Sequence, residues 1–155
     1  RGFDCILFME NDDWYSKYYI EEMVKAWEKH GRPELFGTAY TIYYNIALKK
    51  WRNFEHPQRS SAMSTLIKPD LNFKWCPDTE VYTDMWLWLG AGLKGVTFKP
   101  ANNICMGIKH GVGAVGGEFH NTYLHTFNFD DADLDYLQTN LDSKSFNFYS
   151  TYFDK

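Results

Sequence analysis

Four consecutive residues, Glu10-Asn11-Asp12-Asp13, offer the clearest chemistry in this chain. They follow an apolar run, Cys5-Ile6-Leu7-Phe8-Met9, and precede Trp14-Tyr15. Carboxylate oxygens suit hard cations such as Mg²⁺ or Mn²⁺, which share the rest of their shell with substrate phosphates. The apolar run predicts a short, buried central strand. Open α/β sheets bind ligands just past the carboxyl ends of such strands. The combination points to an enzyme acting on a phosphate-bearing donor. The same acids also suit a purely structural role, because an acidic pair is favourable at a helix N-terminus.

A second acid, Asp84, opens the segment Thr83-Asp84-Met85-Trp86-Leu87-Trp88. An acid at the start of a buried helix, beside an apolar cavity, is placed to deprotonate an acceptor hydroxyl. Its plain alternative is a helix N-terminal acid without chemistry. His110 lies in a glycine-rich stretch, Lys109 to Gly117. Imidazole is a ligand for Mn²⁺-class ions, and the backbone N–H groups of such turns can hold phosphate oxygens. A lone loop histidine is also commonly solvated, and His120 and His125 are rivals. The stretch lacks the spacing of a Walker or Rossmann phosphate loop. Trp14, Tyr15, Trp75 and Trp86 could stack on sugar faces, although Trp86 also suits a core position. Ser60, Ser61 and Ser64 have no identifiable base, so a serine nucleophile is not indicated.

Several elements must position these groups. Cys5 to Met9 is the expected strand, and Ser16 the expected cap of the next helix. Ile20, Met23, Val24 and Trp27 form one apolar stripe on that helix, with Glu21 and Lys25 paired on its outer face. Gly31 and Pro33 end it. Strands are expected over Phe36 to Tyr44, Leu48 to Phe54 (an edge), Ser60 to Ile67, Val96 to Lys99 and Ile104 to Ile108. Asp84 to Lys94 is apolar nearly all round and predicts a buried helix, against which Gly90 and Gly92 count. Residues 118–155 are polar and aromatic, with one helix expected over Asp131 to Leu141. The order of elements predicts a mixed α/β layout with few parallel neighbours.

The chain has 155 residues, enough for one domain with its own core. Hydrophobic residues make up 45%, which excludes a disordered chain. A net charge of −4 without a basic cluster gives no footprint for nucleic acid. Aromatic residues reach 19%, a content that fits either an aromatic core or flat surfaces for sugars. Cys5, Cys76 and Cys105 show no paired spacing, so a reducing, cytoplasmic compartment is expected. No apolar run approaches the roughly 18 residues of a membrane span. The chain opens abruptly on Arg1-Gly2-Phe3-Asp4, which suggests the later part of a longer protein.

The run Phe8-Met9-Glu10-Asn11-Asp12-Asp13-Trp14-Tyr15 resembles the metal-binding strand end of GT-A glycosyltransferases, particularly of the family-2 type. The resemblance covers roughly residues 3 to 117. It implies a GT-A-like mixed sheet flanked by helices, with the N-terminal nucleotide-binding part missing. Residues 1–117 would form the catalytic core portion, and 118–155 a C-terminal extension of the same domain. It further implies transfer of a sugar from a nucleotide-diphospho-sugar donor to a sugar or protein hydroxyl, with inversion. Asn11, Asp12 and Asp13 align with the motif; Asp12 and Asp13 would hold Mn²⁺ or Mg²⁺, and Asp13 is the favoured single ligand. Asn11, Asp12, Trp14, Tyr15 and Trp86 would contact substrate. His110 would complete the metal shell, and Asp84 would be the base. The motif departs from a strict Asp-x-Asp, with Glu10-x-Asp12 and Asn11-x-Asp13 as the possible registers. Thr83 stands where the family's first acid of a pair would be. The rival expectation is a non-catalytic carbohydrate-binding or assembly module with an aromatic surface. A metal-dependent phosphohydrolase is weaker, since it needs more converging His and Asp ligands.

Overall fold

A computed structural model describes residues 2–56, 58–111 and 124–153. Its architecture is mixed α/β. Two mixed sheets dominate. The first has the order β1 (Ile6–Leu7), β6 (Thr65–Ile67), β3 (Leu35–Thr38), β7 (Gly95–Phe98). The second runs β2 (Trp14–Tyr15), β8 (Cys105–Lys109), β4 (Tyr40–Asn45), β5 (Lys50–Glu55), β9 (Phe129–Asp130). Among the described residues, only β3–β7 and β4–β8 pair in parallel.

The stretch Phe36 to Tyr44, expected as one strand, is divided between the two sheets. Thr38 ends β3 and Tyr40 begins β4, with the Thr38 hydroxyl donating to the Tyr40 carbonyl at 2.9 Å. At the crossing, Ala39 donates to the Phe98 carbonyl and accepts from the His56 N–H, both at 2.8 Å. The backbone polar groups of the switch are thereby satisfied. Strands β7 and β8 follow the same path beside it, so the sheets are joined through two adjacent, parallel chain segments.

Period-two alternation divides the first sheet. Phe36 and Leu66 face helix α1 (Tyr19–Lys29), while Leu35 and Ile67 face Leu87 and Trp88. The stripe of α1 that meets the sheet is Tyr19, Met23 and Trp27. It is rotated from the expected one: Ile20 is exposed, and Tyr19 takes its place because its hydroxyl reaches the Met63 carbonyl at 2.7 Å. Glu21 and Lys25 do pair on the outer face, and Gly31 ends the helix at φ +81°. Ser16 does not cap it; its hydroxyl is buried without a hydrogen-bond partner among the described residues, and the N-cap is Tyr18.

Two further expectations are corrected. The Cys5 to Met9 run contributes only a two-residue strand at the edge of its sheet, with Ile6 and Met9 exposed, and is not an interior strand. Asp84 to Lys94 is not a continuous buried helix. One α-turn, α2 (Thr83–Met85), runs into a π-turn over Trp86–Gly90. The chain then turns at Gly92, where φ is +71°. Leu87 and Trp88 are buried there, while Met85 and Leu89 face outward.

Residues of the tail pack on the second sheet. Helices α3 (Asp135–Asn140) and α4 (Ser143–Ser150) bring Leu137, Leu141 and Tyr149 against Trp14, Tyr44, Met106 and Ile108. Buried Asp131 ties this layer down by accepting from Tyr44 Oη at 2.9 Å and from the N–H groups of Tyr136 and Leu137. Asp142 caps α4 by accepting from the N–H groups of Lys144 and Ser145.

Between the sheets lies a buried hydroxyl network. Thr38 Oγ1 lies 2.8 Å from Ser64 Oγ, and Ser60 also meets Ser64 at 2.8 Å. Gly37 sits directly on this network. A Cβ there would meet the Ser60 side chain and come within 2.7 Å of the Ser64 carbonyl oxygen, which is backbone and cannot yield cheaply. Gly37→Ala is therefore expected to destabilise the protein by about 1–3 kcal/mol, measured by urea denaturation. An unchanged midpoint would show that the Ser60–Ser64 turn is not packed as described.

Candidate functional site

The acidic loop between β1 and β2 is held at several points. Tyr15 Oη accepts the Glu10 N–H at 2.7 Å, and the Tyr15 ring rests on Tyr19 with centroids 4.7 Å apart. Strand β2 pairs with β8 only through Trp14–Met106 and Tyr15–Cys105. Beyond Met106 the ladder stops, and the Ile108 N–H donates instead to Asp13 Oδ1 at 2.8 Å. A side-chain carboxylate thus finishes a β-ladder, which explains why Asp13 turns inward. Trp14 is buried, and its indole N–H reaches Asp142 Oδ2 at 3.3 Å. Both aromatics after the motif are occupied by the fold. Trp14 offers no ring face to a sugar, contrary to its expected stacking role, because the tail covers it.

Asp12 points the other way. It is exposed, and its Oδ2 lies 3.1 Å from His110 Nε2, just past the end of β8. The pair brings together residues 98 positions apart. Both border a cleft of about 230 Å³ with Asn11 and Ile46 on one side and Phe148, Tyr149 and Tyr152 of the tail on the other. Tyr149 Oη approaches the Asp12 carbonyl at 3.5 Å.

The electrostatics differ sharply between the neighbouring acids. Burial pushes the Asp13 carboxyl up to about 7. Lys109 and the Ile108 N–H oppose that rise, and the charges of Glu10 and Asp12 add to it. Lys109 also places its ammonium 5.0 Å from the centroid of the Tyr43 ring. Tyr43 lies over Gly107, where any side chain would collide with it.

Asp84 lies across the fold, on α2. Its Oδ2 accepts from Arg59 Nη1 at 2.6 Å in a mostly buried ion pair. The charge of Asp84 also acts on Tyr43, whose phenol burial pushes up to about 12. Trp86 donates its indole N–H to the Lys74 carbonyl at 3.1 Å and borders a separate outward groove with Tyr82, Met85 and Leu89. It is not gathered with Asp12 and His110.

Among the described residues, no three His, Cys, Asp or Glu side chains converge as a closed metal cage. What the fold offers is an open two-residue set, one carboxylate and one imidazole. Such a set fits a Mn²⁺- or Mg²⁺-class ion that takes its remaining ligands from phosphates and water. His120 and most of the glycine-rich stretch, residues 112–117, lie outside the described residues. Among the described residues, no helix is long and apolar enough to cross a membrane.

Sequence reasoning missed Lys109, Arg59 and the aromatic wall of α4. Asp142 with Ser145 three residues on is a capping signal that could have located α4. It also missed a partner for Ser61, whose Oγ lies 3.2 Å from His56 Nε2 and 2.9 Å from Tyr43 Oη. Ser61 is buried and bonded on all sides, so the contact belongs to the internal network. No family model matches the chain, and neither the curated proteins nor the solved structures give a match.

The buried Asp13 carboxyl generates a pH-dependent prediction. Its folded value is raised, so the native state holds a proton that the unfolded chain releases near pH 4. The resulting stability is fully present below that pH and is lost as pH rises through about 7. Asn at this position stays neutral and still accepts the Ile108 N–H. In EDTA, Asp13→Asn is expected to be stabilised relative to wild type by a few kcal/mol at pH 8 and by little at pH 4. Denaturant titrations at the two pH values check this. A difference independent of pH would contradict it.

Proposed function

We propose that this chain is the metal- and acceptor-side part of a GT-A-like glycosyltransferase that uses a nucleotide-diphospho-sugar donor. The observation that carries the reading is the meeting of Asp12 and His110 at a cleft, 3.1 Å apart and 98 residues distant in sequence. A structural salt bridge at the surface contributes little to stability, so stability alone is a weak reason for this pairing.

In this reading Asp12 Oδ2 and His110 Nε2 would hold Mn²⁺ or Mg²⁺, with Asn11 beside them for a donor hydroxyl. The bound ion supplies positive charge against the leaving diphosphate. Asp13 is assigned a positioning role rather than ligation: it anchors the loop to β8 and keeps Asp12 turned to the cleft. Lys109 adds a fixed positive charge behind it. Asp84 does not line this cleft and is held in its ion pair with Arg59, so neither the base role expected of it nor the inversion that depends on that role is part of this reading.

A second reading, a non-catalytic carbohydrate-binding or assembly module, rests on one specific observation. Arg59 already neutralises Asp84, as a purely structural ion pair would. The two readings separate on metal dependence. Titration of Mn²⁺ followed by electron paramagnetic resonance should show one site in wild type. Asp12→Ala and His110→Ala should each weaken it by about tenfold or more, and UDP should bind only with Mn²⁺ present. Equal Mn²⁺ affinity in all three proteins would remove the transferase reading and leave the binding module.

A further inference from the structure

We infer that the C-terminal helix α4 and the turn after it supply the wall on which the sugar ring of a ligand stacks, with Phe148 of the helix and Tyr152 of the turn as the contact residues. The inference rests on the cleft described above and deepens the proposed reading by assigning a binding site to residues that lie outside the motif-bearing part of the chain.

The cleft has two chemically different sides. One carries Asn11, Asp12 and His110, all able to hydrogen bond. The other is aromatic. Phe148 is 57% exposed and Tyr152 is 40% exposed. Tyr149, adjacent to Phe148, is buried against the second sheet. Helix α4 therefore turns one set of rings into the core and leaves another facing the cleft. Large rings left in water forgo the stabilisation of burial. Here they face a concave space that ends in polar groups, which is the pattern of a ligand site.

Ring geometry narrows the occupant. Phe148 meets Tyr149 at 75° with centroids 5.2 Å apart, and meets Tyr152 at 61° with centroids 5.5 Å apart. Neither of these two pairs is parallel. The wall forms a corner, with ring faces and edges meeting at steep angles. A pyranose suits such a corner: its C–H groups can lie on an aromatic face while its hydroxyls point to Asn11 and Asp12. The wall is also preorganised. Asp142 caps α4 and accepts from the Trp14 indole, so the helix is tied to the residue that follows the acidic loop.

Saturation-transfer difference NMR tests the inference without requiring a nucleotide. The probes are methyl glycosides of glucose, galactose, mannose and N-acetylglucosamine. At least one should receive saturation through its ring C–H protons from wild type. Phe148→Ala and Tyr152→Ala should each reduce that signal about fivefold to tenfold, and Phe148→Trp should restore it. Both positions are substantially exposed, so these variants are expected to fold, which far-ultraviolet circular dichroism checks. No signal from any glycoside, or equal signal in the alanine variants, overturns the inference. A parallel arm titrates UDP with Mn²⁺. If Phe148→Ala weakens UDP as much as it weakens the glycoside, the wall binds the base, and the assignment to sugar is wrong. Failure of wild type to bind Mn²⁺ while the glycoside effects persist sinks the transferase reading alone and leaves the sugar wall standing.

Discussion

The Asp13 carboxylate, taken out of water to accept one backbone N–H at the end of β8, is the constraint on which the site depends. It fixes the acidic loop against the second sheet at the point where the β2–β8 ladder runs out. That fixation forces its neighbour Asp12 outward, toward His110. The arrangement is electrostatically uncomfortable. Burial and two nearby carboxylates oppose the charge on Asp13, and Lys109 only partly offsets them. A fold selected for stability alone would gain by placing a neutral amide there. Strained carboxylates of this kind concentrate at functional sites.

The tail completes the same site from the opposite direction. Its helices cover Trp14, its Asp142 accepts from the Trp14 indole, and its aromatic residues close the cleft. The cleft therefore requires residues from three distant parts of the chain: the acidic loop, the end of β8 and α4. Asp84 sits on the turn that leads into the π-turn, paired with Arg59, and does not line the cleft.

Local chemistry was legible in the sequence where one residue type decides the outcome. Gly31 ended α1 as expected because φ there is positive, and Glu21 found Lys25 one helical turn away. Mixed α/β character was legible from the order of patterned segments. The exchange of sheets at Ala39 was not, because Phe36 to Tyr44 alternates smoothly and nothing local distinguishes one long strand from two. The rotation of α1 was hidden because Tyr19 earns burial through a hydrogen bond to a distant carbonyl, which hydrophobicity alone does not register. The Asp84 segment misled through its apolar run, since the Gly90 and Gly92 interruptions outweighed it. Trp14 read as a surface ring because the tail that buries it carries no strong pattern of its own. At the site, the acidic cluster announced itself, and His110 could be named. Their meeting depends on the register of β2 with β8, which only the folded chain reveals.

The central claim is that Asp12 and His110 hold a cation at the cleft beside α4. Paramagnetic relaxation is its most direct test. Substoichiometric Mn²⁺ added to ¹⁵N-labelled protein should broaden the amide signals of Asn11, Asp12, His110 and Tyr149 most strongly, with the effect falling off with distance from the cleft. Broadening centred elsewhere, for example at the acidic residues near Asp130, or none above the bulk-solvent effect, would contradict the account.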